Sequence, residues 1–159
     1  MSIDPGHVGR KYGPFTYEVG LEKMREFAFA IGGGNPGMGV SEAPPGLDPV
    51  LYDDEAGKKS RYGSVIAFPS FAVVFAIRPF SAAATDPQLG INLLMLVHGE
   101  QELEFFDVMR SGDVMTTRGE ITRIDEKAGK DFVTVATEST NQVGKLVVRG
   151  TWTAVIRHE

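Results

Sequence analysis

The sequence predicts an α+β domain in which one apolar helix lies against a curved antiparallel sheet. Strand-like alternation fills the C-terminal half from Gly99 onward, and a run with no polar face, Val65–Ile77, precedes it. Helical stretches and strands come as separate runs instead of alternating, which excludes a doubly wound parallel sheet. At 159 residues the chain fits one domain, 1–159, and its 42% hydrophobic and 23% charged residues are ordinary for a globular protein.

Each element follows from local pattern. Residues 1–14 form a polar arm. Phe15-Thr16-Tyr17-Glu18-Val19 alternates apolar and polar residues as a strand does. Leu21, Met24, Phe27, Ala28 and Ile31 then recur at helical spacing, with Glu22, Lys23, Arg25 and Glu26 on the solvated face and Gly20 at the N-cap. Gly32-Gly33-Gly34-Asn35-Pro36 must end that helix, because glycine takes left-handed dihedrals without penalty and the residue before proline is pushed out of helical dihedrals. Residues 32–64 show no periodicity and carry Pro36, Pro44, Pro45 and Pro49, so a long overhanging loop is expected, and loops of that length tend to be functional. In Val65–Ile77, Pro69 suits a first helical turn, and a helix with no polar face must be wrapped. The wrapping is offered by strands over Gly99–Val108, Val114–Ile124, Phe132–Asn141 and Lys145–Ile156. Their hairpin-sized links at Asp125–Lys130 and Asn141–Gly144 make them antiparallel neighbours.

Composition excludes several function classes. Without cysteine there are no disulfides, thiolate metal sites or cysteine nucleophiles, which fits a reducing cytoplasm. The start of the chain has no apolar signal region, and Val65–Ile77 is too short for a membrane span and is interrupted by Pro69 and Ser70. A net charge of −5 with no long basic run argues against nucleic acid as a partner.

Five motifs in order then carry a resemblance. Tyr17-Glu18-Val19, the Glu22–Ala28 helix, Asn35-Pro36, Ala67-Phe68-Pro69-Ser70-Phe71 and Leu96-Val97-His98-Gly99-Glu100-Gln101 resemble the MaoC-like hydratase/dehydratase group. The likeness is to its N-terminal half-domain type, seen in subunits of hydroxyacyl-carrier-protein dehydratases that pair with a catalytic partner. The resemblance implies a hot-dog fold: a central helix wrapped by an antiparallel sheet, two such units side by side, and an acyl tunnel between them. Catalytic members place an aspartate two residues before the loop asparagine and a histidine three residues after it; here those positions are Gly33 and Met38. Hydration of a trans-2-enoyl thioester needs a base to activate water, an acid to protonate the α-carbon, and N–H groups to polarise the carbonyl. Glycine and methionine do neither proton job. Backbone N–H groups at the start of the central helix, near Phe68–Phe71, remain as oxyanion donors. The resemblance further implies substrate contacts from Asn35, Phe68, Ser70, Phe71, Phe75 and His98, no cofactor, and a coenzyme A or acyl-carrier-protein thioester as ligand.

The remaining candidates are weighed residue by residue. His7 and His158 are expected to be solvated, whereas His98 either faces a partner's active site and donates to a thioester or is a hydrogen-bonded residue fixing the start of its strand. Glu100, Glu102 and Glu104 alternate and read as a solvated face. Lys58, Lys59 and Arg61 form a small basic patch able to meet phosphates or an acidic carrier, or are ordinary loop cations. Phe71, Phe75, Phe80 and Met95 line an acyl tunnel or are simply core. Gly32-Gly33-Gly34 follows a helix and lacks the Lys-Ser/Thr of a phosphate loop, so it is dismissed. Two functions emerge. One is a non-catalytic, tunnel-forming subunit of an enoyl-thioester hydratase or (3R)-hydroxyacyl-thioester dehydratase, its acid and base supplied by a homologous catalytic hot-dog subunit. The other is a self-contained homodimer that binds or transforms a thioester by another route, including hydrolysis with Glu42, Asp53 or Asp54.

Overall fold

The structure, a computed structural model, describes residues 2–32 and 43–158. Its elements are β1 (Lys11–Glu18), α1 (Leu21–Ile31), α2 (Asp54–Lys59), α3 (Val73–Ala76), α4 (Arg78–Ala84), β2 (Leu96–Phe105), β3 (Val114–Glu126), β4 (Lys130–Thr140) and β5 (Leu146–Arg157). All five strands form one antiparallel sheet in the order β1-β3-β4-β5-β2. It wraps the helical segment, the helix-in-sheet arrangement that the hot-dog resemblance implies.

Helix α1 has the bounds that its apolar spacing predicts, with Gly20 at the N-cap and Met24 and Ala28 buried. Ile31, at the free end of the stripe, is 49% exposed. Gly32 ends the helix with φ −72° and not in the left-handed region, its N–H donating to the Ala28 carbonyl. A Cβ there would meet Pro44 at 3.2 Å. Strand β1 starts at Lys11, earlier than Phe15, and ends at Glu18. Gly13 and Pro14 hide the alternation, because the register shifts between Tyr12 and Phe15 where Gly13 turns with φ +97°. The 32–64 stretch is not wholly irregular. Asp53 caps α2 by accepting from the Ala56 N–H at 2.7 Å, and Asp54 and Lys58 pair along it. One six-residue turn is too short to reveal itself by periodicity.

The central helix is displaced from its expected place. Residues 65–68 are extended, with the Ala67 N–H donating to the Met109 carbonyl and Ser111 N–H to Val65. Pro69 sets the boundary: Phe68 before it has ψ 144°, and a 3₁₀ turn, Pro69–Ala72, leads directly into α3. The helical path continues through Ile77 to Ala84, past the expected end at Ile77, because Pro79 falls in the first turn of α4, where its missing N–H costs little. Phe71, Phe75, Phe80 and Ala83 point into the core, while Ser70, Val74, Arg78 and Ser81 are exposed.

Seating of this helix depends on small residues in the sheet. The inward residues of β3, β4 and β5 include Met115, Ile121, Val133, Val135, Val148 and Trp152, all at most 2% exposed. Among them Gly119 lies under Pro79: a Cβ on Gly119 would stand 2.4 Å from the Pro79 Cβ. A buried polar ladder runs beside it. The Trp152 Nε1–H donates to Thr137 Oγ1 at 2.9 Å, and the Thr117 and Ser139 hydroxyls lie 2.8 Å apart. Away from the helix, Asp107 ties the β2–β3 link to the β4–β5 hairpin through Lys145 at 2.7 Å and pairs with Arg110 of its own link at 3.3 Å. Lys145 first, then Arg110 and the Val108 N–H, hold the Asp107 carboxyl down at about 2 against the opposing effect of burial.

Two outcomes follow. Gly119→Ala forces helix and sheet apart and lowers stability by about 1–3 kcal/mol in urea titration. The Asp107 folded pKa lies below the unfolded one, so its contribution is present above about pH 4 and is lost as pH falls toward 2. Asp107→Asn therefore flattens the acid limb of a stability–pH curve over that window.

Candidate functional site

The start of the central helix and the beginning of β2 present the side chains that the sequence singles out. Ser70 is exposed and Phe68 half-buried at the helix start. Of the amides there, Pro69 has none and Phe71 donates to the Phe68 carbonyl at 2.9 Å. The Ser70 N–H is left without an acceptor among the described residues, with the positive end of the helical path behind it.

His98 stands on the inner side of β2, opposite Ala154. Its ring centroid lies 5.3 Å from that of Phe80 and 5.9 Å from that of Trp152, and the side chain is exposed because β2 is the last strand of the sheet. Among the described residues its imidazole makes no hydrogen bond, so stacking and not hydrogen bonding fixes it. Gly99 follows because there is no room for a side chain: a Cβ would stand 2.6 Å from Val155 Cγ2, at the point where the register of β2 shifts.

Other expected contacts are placed differently. Phe71 and Phe75 are fully buried. Tyr17 stacks on Phe75 at 5.9 Å and lies tilted against Phe71 at 6.3 Å, and Phe27 meets Phe71 edge-on at 5.3 Å, so in the chain alone both rings belong to the core. Phe80 is 6% exposed and Met95 half-buried. Gly33, Asn35, Met38 and Glu42 lie outside the described residues. A cavity of about 600 Å³ opens on the sheet among Lys11, Tyr12, Arg118 and Glu120, away from Ser70 and His98.

Charged candidates are largely engaged locally. Asp53 caps α2, Asp54 pairs with Lys58 at 2.6 Å, and Lys58 also reaches Glu55 at 3.5 Å. Arg61 lies over the Tyr62 ring at 4.8 Å and donates to its hydroxyl, so among the described residues Lys58 is the one member of the basic patch with an ion pair. Glu100, Glu102 and Glu104 are exposed on the outer face of β2, as their alternation predicts. No group of three metal-ligating side chains is found among the described residues. No helix there is long and apolar enough to cross a membrane.

One cluster was not legible in the sequence. His158, expected in solvent, lies with its side chain 20% exposed and its Nε2 3.0 Å from Asp131, whose own side chain is 1% exposed. Ser2 Oγ–H and the Ile3 N–H also donate to Asp131, at 2.8 and 3.0 Å. Burial pushes this carboxyl up, but the adjacent His158 and the Ser2 and Ile3 donors outweigh it and hold the group below the usual carboxylate range. Both ends of the chain are thus tied to one buried charge. The partners lie at opposite ends of the sequence, where no spacing rule reaches; an aspartate on the inward period of β4 was the available signal.

Comparison with known proteins places this geometry. A family model described as the FAS1-like dehydratase domain region matches residues 6–149. A UPF0336 protein of Saccharopolyspora erythraea is 37% identical over 158 residues, 99% of this chain and 93% of that protein. Among solved structures, the C-terminally truncated HadBC (3R)-hydroxyacyl-ACP dehydratase complex of Mycobacterium tuberculosis superposes with a TM-score of 0.74 at 25% identity, over 98% of this chain and 99% of that one. An (R)-hydratase of A. caviae involved in PHA biosynthesis superposes at 0.66 with 19% identity over 96% of each chain, a likeness of fold.

Removing the buried carboxylate tests the terminal tie. Asp131→Ala leaves the Ile3 N–H without its acceptor and His158 without the carboxylate it faces, and lowers stability by about 1–3 kcal/mol. It also speeds amide hydrogen exchange at Ile3 relative to the strand amides of β4.

Proposed function

Because the chain belongs to the FAS1-like dehydratase-region family and has the hot-dog fold of the MaoC-like hydratases and dehydratases, we propose that it is the non-catalytic subunit of an enoyl-thioester hydratase or (3R)-hydroxyacyl-thioester dehydratase. The observation that carries this reading is Gly33 and Met38 at the positions where catalytic members of the group hold aspartate and histidine. A homologous hot-dog partner supplies the acid and base. This chain contributes one wall of the acyl tunnel, with Ser70 and His98 turned toward the partner and Asn35, Phe68, Phe71 and Phe75 behind them.

The chemistry divides accordingly. In the hydration direction the partner's base takes a proton from water as oxygen adds to the β-carbon, and its acid delivers a proton to the α-carbon. The thioester carbonyl gathers negative charge in that step, and free amides at a helix start stabilise it. The Ser70 N–H, aimed out of the helix start, suits a supporting role at the acyl or carrier end. The ligand is a coenzyme A or carrier-protein thioester, and no cofactor enters the reaction.

Two further observations support a partnered chain. Strand β2 has no neighbour on its outer edge among the described residues, and Leu94, Val97, Phe105 and Phe106 around it are between 41% and 93% exposed. The solved structure with the TM-score of 0.74 comes from a complex of subunits. Self-contained thioester hydrolysis by the loop carboxylates is less favoured, since Asp53 and Asp54 are already bound to groups of α2.

The test is hydration of trans-2-butenoyl-CoA, followed by loss of enoyl absorbance. The wild-type chain alone is expected to be silent, and Gly33→Asp with Met38→His is expected to raise the rate by about 10²-fold or more over that background. Turnover by the wild-type chain alone overturns the non-catalytic reading.

A further inference from the structure

The two edges of the sheet are treated differently. Edge strand β1 carries Pro14, which has no N–H to offer, and a register shift at Gly13. It is also held by Asp86, which takes hydrogen bonds from Arg10 at 2.6 Å and Tyr12 at 2.8 Å. Edge strand β2 contains no proline and runs for ten residues with its outer backbone groups unpaired among the described residues. What marks it is charge. Glu100, Glu102 and Glu104 lie opposite Thr153, Thr151 and Arg149 on the outer face, all three exposed. Arg149, the one cation opposite them, is bound to Glu138 at 2.8 Å and lies over the Phe106 ring. Near Glu100, Arg123 pairs with Asp125, and Glu126 and Lys127 share its cavity.

Antiparallel pairing of β2 with a second copy would gather six carboxylates on one seam. Centred on Glu102, it sets Glu102 against itself and Glu100 against Glu104 of the second copy, and like charges directly opposite destabilise a strand pair. Pairing along the full strand staggers the carboxylates yet leaves them within roughly one Debye length. The exposed Val97 and Phe105 at the two ends of the same strand still favour a covered edge.

We infer that the free edge of β2 is built to pair with a different hot-dog subunit whose own edge strand is basic, and to reject a second copy of this chain. The carboxylates select the partner, while strand hydrogen bonds and the flanking apolar residues supply the attachment. This rests on the heteromeric reading above and sharpens it: the partner is recognised by Lys or Arg alternating along its edge.

A charge-reversed copy of this chain, Glu100→Lys/Glu102→Lys/Glu104→Lys, serves as a basic-edged probe of defined fold. Sedimentation equilibrium at pH 7.5 is measured for the wild type, the probe and their equimolar mixture, with circular dichroism confirming that the probe is folded. The mixture is expected to dimerise at least tenfold more tightly than either chain alone, and to lose at least tenfold in affinity between about 0.05 and 0.5 M salt. Glu100→Gln/Glu102→Gln/Glu104→Gln, which needs no charge reversal to fold, is expected to self-associate more tightly than the wild type. A wild-type homodimer as tight as the mixture, or a mixture that stays monomeric, overturns the inference. Substrate is absent throughout, so a wild type that hydrates enoyl-CoA alone sinks the non-catalytic reading without touching the pairing rule, and failure of the pairing rule leaves that reading to be judged by turnover.

Discussion

The contact between Pro79 and Gly119 is the constraint on which the rest of the structure depends. Proline placed a turn inside the helical path removes an N–H and adds a ring, and the sheet accommodates the ring only because residue 119 has no side chain. That close approach sets the depth at which Phe71, Phe75 and Phe80 enter the core. Phe80 then reaches Trp152 at 6.3 Å and His98 at 5.3 Å, so the position of the imidazole on the last strand is decided by a contact near the middle of the sheet. Lifting the helix by the width of a methyl group would disturb the stack that holds His98 and the direction in which the Ser70 amide points.

Much of this was legible in the sequence, and the reason differs by element. Helix α1 and the β3–β4–β5 meander declare themselves because their side-chain periods repeat over ten or more residues and short links force antiparallel neighbours. The central helix was recognisable in kind but misplaced in extent. An apolar run marks burial, not conformation, so Val65–Phe68 reads the same whether extended or helical, and Pro69 was the discriminating residue. Ser81-Ala82-Ala83-Ala84 carries the helix onward with small residues whose helical preference is strong but whose hydrophobic signal is weak. The site was legible in its gaps more than its contacts. Gly33 and Met38 stand out against a family pattern, whereas the burial of Phe71 and Phe75, or the tie between Asp131 and His158, depends on groups brought together only by the closed sheet.

Electrostatics in this chain serves closure and discrimination more than chemistry. Asp107, Asp86 and Asp131 are each held by donors from distant segments: the β4–β5 hairpin, the N-terminal arm with β1, and both chain ends. Tyr12, pushed up to about 12 by burial and then by Asp86, belongs to the same system and stays a neutral donor at physiological pH. The carboxylates of β2 are the exception, exposed and without an ion pair among the described residues, on the edge strand that has no proline.

The non-catalytic role proposed above requires surfaces that an assembly needs. Two features of the chain satisfy that requirement independently of any catalytic residue. Tyr17 packs against both Phe71 and Phe75 behind the helix, so the helix is held rigidly from the core side and its exposed face does not have to be ordered when a partner docks. Strand β2, without a neighbour on its outer edge among the described residues and carrying His98 of the Phe80–His98–Trp152 cluster, would set the helix beside whatever pairs with it, because strand pairing fixes register as well as attachment. The β2 edge, His98, Phe80 and the central helix are therefore one continuous piece of structure, so a displacement of the helix is felt at the edge where a partner would pair.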